Sequence, residues 1–288
     1  MIYWLHRIGA PVARILPLWL SYGIASLVAP IVYVLWRDKR ENTIENLVHV
    51  LGTDTDPRDV RRHARRVFVN YAKYLVDMLR LTGLHVDELV KRVTISGWEH
   101  VEEARDQGKG LIFVGAHIGN SDLAAAILAR RGFPVHVITE PLEPPRWDAL
   151  VQAARAAVGL RVIPLGSSAI RLLRVLKERG ILAVLIDRPM QDQGVSVNFF
   201  GGTARVPAGA AALALRSDAQ ILVGYIVRSG NSYTADISPA ISLPLTGDPA
   251  RDLQMLTQSI FDWLERAIRQ YPDQWFMFRP MWTAEGDA

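Results

Sequence analysis

The sequence predicts an α/β fold with a mostly parallel central sheet flanked by helices, preceded by an N-terminal membrane-associated helical segment. Three observations lead to this prediction. Short apolar segments alternate with helical patterns from residue 93 to residue 187. Several of these segments are apolar almost throughout, as strands buried on both faces of a parallel sheet are. An uncharged stretch long enough to cross a bilayer precedes them, from residue 15 to residue 36.

Length and composition restrict the function classes. The chain has 288 residues, half of them apolar, which suggests one large domain or a domain with an appendage. The absence of cysteine excludes disulfides, thiolate nucleophiles and cysteine-bound metals. A formal net charge of +4 fits an anionic membrane surface or an acidic substrate. We therefore expect a bilayer surface as a partner, and no nucleic acid.

The N-terminal segment has three possible structures. It could span the bilayer, since aromatic residues lie towards its ends and basic residues come directly after it. Pro17 and Pro30 also allow a helix hairpin or a kinked helix lying in the interface, and a soluble pair of core helices is the third alternative. Arg37, Lys39 and Arg40 favour a cytoplasmic position for the domain that comes after them. We predict a membrane-associated region at residues 1–40 and an α/β domain at residues 41–288.

The elements can be predicted from local patterns. Residues 41–92 are helical in pattern, with Asp56 and Pro57 typical of a helix start. Five arginines (58, 61, 62, 65 and 66) form a basic face that is either solvated or in contact with anionic lipid headgroups. Apolar runs predict strands at 93–96, 111–116, 135–138, 161–163, 181–186, 220–227 and 233–237, with an antiparallel addition at 195–199. Amphipathic patterns, several of them bounded by Asn, Ser, Pro or Gly, predict helices at 98–106, 122–131, 146–158, 168–179, 207–215 and 249–271.

Residues 110–122 carry the strongest functional signal. A buried strand, a turn of small and polar residues and a helix come one after another, which places His117 at the carboxyl end of the strand. Asp122 falls in the first helical turn, where it can contact His117. A carboxylate on one imidazole nitrogen leaves the other nitrogen as a general base. Backbone N–H groups from Gly119 through Asn120 to Asp122, at the start of the helix, could hold an oxyanion. The alternative is a capping aspartate and a turn histidine.

Two further segments contain candidate site residues. Asp187 and Arg188 come after the most apolar strand, as an ion pair closing the sheet or as a pair lining the crevice beyond it. Residues 199–209 are either a connection within the core or the wall of an apolar groove. In the second case a cation of this segment would bind an anion. The candidate residues in that segment are Phe199, Phe200, Gly201 and Arg205. The histidines show no metal-ligand spacing, and we expect no metal.

The motifs resemble those of a known family. Residues 115–122 resemble the His-x4-Asp/Glu block of glycerolipid and glycolipid acyltransferases, and more specifically that of the lipid A biosynthesis lauroyl/myristoyl acyltransferases and the related phosphatidylinositol mannoside acyltransferases. Residues 40–47, 187, 199–214 and 274–282 also match features of these families, in the same order. The resemblance implies that His117 is the general base and Asp122 its orienting partner. It also implies that Arg155 and Asp187 line the acceptor or carrier site.

The chain departs from the family pattern at three places. Ser121 stands where an aromatic residue is common. Gly194-Val195-Ser196-Val197 lacks a glutamate that some relatives carry, which leaves Asp192 as a weak candidate for a third carboxylate. Residues 278–280 are Phe-Arg-Pro, where lipid A enzymes often have His-Arg-Arg. This last departure favours another glycolipid or a phospholipid as acceptor.

We therefore expect an O-acyltransferase on the cytoplasmic face of the cell membrane. It would move a fatty acyl group from acyl-CoA or acyl-carrier protein to a hydroxyl of a glycolipid or lysophospholipid, without a cofactor. A non-catalytic lipid-binding protein is the alternative. A serine hydrolase is a further one, but the serines at 167 and 168 lack the G-x-S-x-G elbow of that class.

Overall fold

A central sheet of seven strands organises the molecule, which we describe for residues 2–81, 83–190 and 194–282 of a computed structural model. The strand order is β1-β9-β8-β2-β5-β3-β4. These strands are β1 (Val93–Ser96), β2 (Leu111–Gly115), β3 (Val135–Thr139), β4 (Arg161–Pro164), β5 (Ile181–Leu185), β8 (Gln220–Ser229) and β9 (Ser232–Ile237). β8, β2, β5, β3 and β4 run parallel, whereas β9 is antiparallel to β8 and parallel to β1. The predicted α/β class with a mostly parallel sheet is confirmed.

The strand predicted at residues 195–199 is antiparallel, but it does not join this sheet. β6 (Val195–Phe199) pairs with β7 (Gly202–Val206) in a separate two-stranded hairpin. Phe200 and Gly201 both have positive φ, which turns the chain directly back on itself. The apolar side of the hairpin packs on helix α11 (Pro249–Gln270). Its apolar side chains are therefore buried although the hairpin does not join the main sheet.

Helices cover both faces of the sheet. Successive side chains of a strand point to opposite faces. Ile112 and Val114 of β2 therefore pack in the core beneath α9 (Ala169–Lys177), α10 (Gly209–Leu215) and α11. Leu111 and Phe113 pack in the core beneath the other helices, which are α5 (Gly83–Val90), α6 (Trp98–Asp106), α7 (Ser121–Arg130) and α8 (Pro145–Ala157). Each fully buried aliphatic side chain contributes about 1.5–3 kcal/mol through removal from water.

Four helices precede α5 and the sheet. They are α1 (Ile2–Ile15), α2 (Leu18–Leu35), α3 (Arg37–Leu51) and α4 (Pro57–Leu79). Pro17 separates α1 from α2, since it lacks the N–H that a continuous helix needs. The side chains of Ala29 and Tyr33 on α2 pack in a core with Val67 and Phe68 of α4. α2 is long and apolar enough to cross a membrane, yet one of its faces lies on the folded protein.

The outer faces of the first two helices expose large apolar side chains. On α1 and the α1–α2 connection they recur at helical spacing, and on α2 they form a second stripe. The exposed residues are Trp4, Ile8, Val12, Ile15, Trp19, Ile24, Leu27, Val28, Ile31, Val34, Leu35 and Trp36. A contiguous apolar surface of this extent is typical of a membrane or protein contact. We call this set the apolar face.

Candidate active site

Three polar residues lie where parallel strands of the sheet end. His117 lies just beyond β2, Asp187 just beyond β5 and Glu140 just beyond β3. These strands are neighbours in the order β2-β5-β3 and run in the same direction. Their carboxyl ends therefore form one edge, which is where α/β sheets bind ligands.

His117 and Asp187 form a hydrogen-bonded pair at this edge. The imidazole Nδ1 of His117 lies 2.6 Å from Oδ1 of Asp187. The other carboxylate oxygen accepts the backbone N–H of His117 at 2.9 Å and the indole N–H of Trp275 at 2.8 Å. Asp187 is fully buried, whereas the histidine ring is 23% exposed. An ionised carboxylate at Nδ1 selects the tautomer in which Nε2 carries the free lone pair.

The charge of Asp187 is retained at neutral pH despite its burial. Burial alone raises the pKa of this carboxyl group, because the interior disfavours the charged form. The positive charge of His117 and the hydrogen bonds from its ring, from Trp275 and from its own backbone outweigh that effect. The pKa of Asp187 consequently falls below its ordinary value. Asp187 therefore presents an ionised carboxylate to Nδ1 of the imidazole.

Asp122 is not the hydrogen-bond partner of the imidazole, and that prediction is wrong. Its Oδ1 accepts from Nε of Arg155 at 2.8 Å, and its Oδ2 accepts from the hydroxyl of Tyr74 at 2.8 Å. Burial raises the pKa of Asp122, but Arg155, Tyr74 and the nearby charge of His117 lower it further than burial raises it. Asp122 thus adds negative charge near the imidazole, while Asp187 orients the ring.

The turn between β2 and α7 explains this outcome. The N–H of Gly119 donates to Gln274, and the N–H of Asn120 donates to Ile226, each at 2.9 Å. The carbonyl of His117 accepts from the N–H of Phe276 at 2.7 Å. The carboxyl-terminal segment and β8 therefore hold the turn on both sides. His117 stays at the end of β2 beside β5, and Asp122 turns with α7 towards α8.

Gly119 is required by this turn. Its φ is +62°, and a Cβ atom placed on it would lie 1.8 Å from the carbonyl oxygen of Ile226. We expect Gly119→Ala to lower the free energy of unfolding by about 2 kcal/mol or more, because left-handed backbone alone costs about 1–3 kcal/mol. Urea unfolding monitored by circular dichroism measures the loss. Gly132→Ala is the matched control, since its φ is also positive but no atom lies within 4 Å of its Cβ position. Equal losses in both variants would show that the contact with Ile226 has no effect.

Gly119 and Asn120 do not offer backbone N–H groups to a ligand, since both are already hydrogen-bonded. The side chain of Asn120 is buried and caps α7 by accepting the N–H of Leu123 at 3.0 Å. The backbone N–H groups of Ser121 and Asp122 have no protein acceptor within the three described ranges. Of the predicted range from Gly119 to Asp122, only the first two residues of α7 therefore keep backbone N–H groups for an anion.

A pocket of about 600 Å³ opens beside His117. One wall consists of apolar side chains from the sheet, α9 and α10, and the mouth carries charged residues. The apolar lining includes Ile112, Leu172, Leu182, Val184, Ile186, Ala210 and Leu213, and the charged lining comprises Glu140, Arg155, Arg188 and Arg279. Arg155 and Arg188 both line this pocket. An apolar cavity with a few polar groups at one end is the usual form of a site for a lipid-like ligand.

In the segment 199–209, predicted as a core connection or a groove wall, residues 199–205 do not line this pocket. Phe199 is fully buried and packs against Phe261, Trp275 and Trp282. Phe200 is also buried, and its N–H donates to Glu265. This aromatic pair completes the core between the hairpin and α11, so it has no free surface to offer an acyl chain.

The two other residues predicted in that segment are Gly201 and Arg205. Both are exposed on the hairpin outside the pocket lining. Pro207 and Gly209, at the end of the predicted segment, do line the pocket, together with Ala210.

Sequence reasoning missed several residues of the site. Trp275 lies in the tryptophan-rich carboxyl end, but no local pattern indicates that its indole binds Asp187. Tyr74 fits an apolar helix stripe, although its hydroxyl binds Asp122. Glu140 comes directly after a predicted strand, so the strand-end argument used for Asp187 would have found it. Asp192 lies outside the described residues. Within them, no group of three or more His, Asp or Glu side chains is placed to hold a metal ion.

The fold and the site together define a class of protein: an α/β protein whose histidine–aspartate pair faces an apolar pocket at the carboxyl edge of the sheet. Residues 1–284 match the family model described as bacterial lipid A biosynthesis acyltransferase. The chain therefore belongs to this family and is an acyltransferase. The resemblance carried by its sequence motifs is confirmed.

Similar proteins of three bacterial species carry two kinds of name. A phosphatidylinositol mannoside acyltransferase of Mycolicibacterium smegmatis is 27% identical over 250 residues, which cover 85% of this chain and 80% of that protein. One of Mycobacterium tuberculosis is 27% identical over 75% of this chain and 69% of its own length. A lipid A biosynthesis acyltransferase of Haemophilus influenzae is 26% identical over 64% of this chain and 58% of its own length.

Proposed function

We propose that this acyltransferase moves a fatty acyl group from a thioester, acyl-CoA or acyl-carrier protein, to a hydroxyl of a membrane glycolipid or lysophospholipid. The observation that carries the proposal is the imidazole of His117, held at Nδ1 by a buried carboxylate and exposed to an apolar pocket. A base in that position deprotonates a hydroxyl, and an apolar pocket holds an acyl chain.

In the proposed reaction, Nε2 of His117 accepts the proton of the acceptor hydroxyl as its oxygen attacks the thioester carbonyl carbon. The carbonyl oxygen takes the negative charge and receives hydrogen bonds from the N–H groups of Ser121 and Asp122 at the positive end of α7. The carbon–sulfur bond then breaks, and the departing sulfur receives the proton from the imidazolium. The ester and the free thiol are the products, and the histidine returns to its neutral form.

Neither a metal nor a bound cofactor takes part in this proposal. The thioester is already an activated acyl group, and the imidazole supplies the base. Asp187 and Asp122 stabilise the imidazolium that forms, since both are ionised near it. The acyl-CoA or acyl-carrier protein is therefore a substrate only.

The acceptor class is supported by two facts. The two mycobacterial relatives, whose alignments cover more of this chain, are named for phosphatidylinositol mannoside, a glycolipid that contains a phosphodiester. The carboxyl-terminal Phe278-Arg279-Pro280 differs from the His-Arg-Arg form typical of lipid A enzymes. We infer that the acceptor is a glycolipid or phospholipid other than lipid A.

We propose further that the apolar face lies in the headgroup region of the cytoplasmic leaflet. α2 packs on α4 by one side, so only its outer stripe is free to contact lipid. Arg37, Lys39 and Arg40 lie just beyond α2, and basic residues bind the anionic surface of that leaflet.

Substitutions on the apolar face test this orientation. We expect Leu27→Ser combined with Ile31→Ser to weaken binding to phosphatidylglycerol vesicles by at least about tenfold, because each exposed aliphatic side chain contributes about 1.5–3 kcal/mol when buried in lipid. Vesicle co-sedimentation measures the binding. Ile170→Ser with Leu245→Ser is the control, since these side chains are similarly exposed but lie outside both the apolar face and the pocket lining. Parallel losses in both pairs would contradict the orientation.

The proposed reaction is tested by its product. Purified protein is incubated with [14C]palmitoyl-CoA or palmitoyl-acyl-carrier protein and with vesicles that contain phosphatidylinositol mannoside or lysophosphatidic acid. We expect one labelled lipid whose mass exceeds that of the acceptor by one palmitoyl group, with ester cleavage under mild base. Lipid binding without a labelled product would instead support a non-catalytic lipid-binding protein.

A further inference from the structure

Two arginines converge on one carboxylate oxygen at the mouth of the pocket. The guanidinium groups of Arg188 and Arg279 both donate to Oε2 of Glu140, the second at 3.4 Å. Arg188 lies just beyond β5, Arg279 belongs to the carboxyl-terminal segment, and Glu140 lies just beyond β3. Three separate parts of the chain therefore bring these groups to one point in the pocket lining.

This cluster carries a net positive charge and has N–H donors that Glu140 does not engage. Two guanidinium groups and one carboxylate leave a net positive charge at the mouth. Each guanidinium has five N–H donors in a fixed planar arrangement, and the contacts to Glu140 engage only a part of them. The side chains of Arg188 and Arg279 are 35% and 51% exposed. Both arginines line the pocket, and the planar geometry of their guanidinium groups matches the oxygens of a phosphate.

The cluster also lies between the apolar face and the catalytic pair. Trp36 at the end of α2 belongs to the apolar face and stacks on Phe278, with ring centroids 6.4 Å apart. Arg279 is the next residue along the chain. Arg188 is adjacent in sequence to Asp187, which holds the ring of His117. The two arginines are thus next to the apolar face on one side, through Phe278, and next to the histidine–aspartate pair on the other, through Asp187.

We propose that Arg188 and Arg279 bind the phosphate of the acceptor lipid, with Glu140 occupying them when no lipid is present. This inference rests on the proposed function, whose acceptor it specifies as a phosphate-containing lipid. The thioester donors also carry a phosphate, at the far end of the pantetheine arm. Consecutive Cα atoms are 3.8 Å apart, so Arg188 is close to the reacting pair. A phosphate near the acceptor hydroxyl fits this position, and one separated by the extended arm does not.

Binding measurements test the inference independently of turnover. Isothermal titration calorimetry compares dihexanoylphosphatidylinositol with uncharged dihexanoylglycerol, both below their aggregation concentrations. We expect Arg188→Gln and Arg279→Gln each to weaken binding of the phosphatidylinositol by about tenfold, as loss of one charge-assisted contact does, and to leave dihexanoylglycerol binding unchanged. Glu140→Gln removes the competing carboxylate and is expected to strengthen phosphatidylinositol binding several-fold.

The control variant is Arg269→Gln, which removes an exposed arginine that is ion-paired with Glu265 outside the pocket. It should bind both lipids as the parent protein does. Titration with 4′-phosphopantetheine distinguishes the two sources of phosphate, since the acceptor assignment predicts no effect of either arginine substitution on it. The inference is overturned if the parent does not distinguish the two lipids, if both lipids lose affinity equally, or if only phosphopantetheine binding falls. Failure of acyl transfer alone would count against the proposed function and leave these binding results interpretable.

Discussion

We expect Asp187→Asn to lower kcat by about 10³–10⁴-fold, since the substitution favours the wrong imidazole tautomer. In the native pair, Oδ2 of Asp187 accepts two N–H groups, from the backbone of His117 and from Trp275. An amide NH2 group cannot occupy that position, because it would face two donors. The asparagine must therefore place its oxygen there and its NH2 group against Nδ1. Nδ1 then becomes the acceptor, Nε2 carries the proton, and the base is lost.

The measurement is steady-state acyl transfer with a labelled thioester, with folding checked by circular dichroism. His117→Ala should cause a loss of similar size, and the double variant should be no worse than either single variant, because the two residues act as one unit. Asp122→Asn is the comparison that decides between the two carboxylates. It retains the hydrogen bond at Nδ1, and we expect a loss of kcat of about tenfold from the weaker field at the imidazolium. A severe loss in Asp122→Asn together with a mild one in Asp187→Asn would contradict this assignment.

The second large effect is expected at Asp77 on α4, which is 2% exposed. Its carboxylate accepts hydrogen bonds from the hydroxyls of Tyr22 and Tyr233, from the guanidinium of Arg228 and, at 3.2 Å, from the amide of Asn120. These donors come from α2, β9, β8 and the N-cap of α7. One buried charge thus joins the first helices to the sheet and to the turn that carries His117.

We expect Asp77→Ala to lower the free energy of unfolding by about 3–5 kcal/mol, the usual cost of leaving a buried charge without its partner. The charge left without a partner is the guanidinium of Arg228. The hydroxyls of two tyrosines lose their acceptor as well. Urea unfolding in mild detergent measures the change. Asp262→Ala, which removes an exposed carboxylate on α11, should change stability by less than about 0.5 kcal/mol. A loss below about 1 kcal/mol at Asp77 would show that the network is hydrated or can rearrange.

Local patterns predict much of this fold. Apolar runs identify the strands because a strand buried on both faces has little room for polar side chains. Asp56 caps α4 and Asp248 caps α11 as their sequences suggest, because a carboxylate before a proline satisfies the free N–H groups of a first turn. The hairpin of β6 and β7 is different. The alternation of apolar and polar residues at 195–199 predicts a strand, but it does not predict which surface of the protein that strand covers.

The sequence by itself determined that a histidine lies at the carboxyl end of a buried strand, beside a helix start and in a chain with an apolar N-terminal segment. Strand, turn and helix are local structures, and a dozen residues suffice to specify them. Only the tertiary structure decided which carboxylate holds that histidine. Asp187 is distant along the chain, and it reaches the ring because β5 pairs with β2 in parallel register. Strand order results from the packing of the whole sheet, so the nearer Asp122 was the reasonable partner by sequence and the wrong one in space.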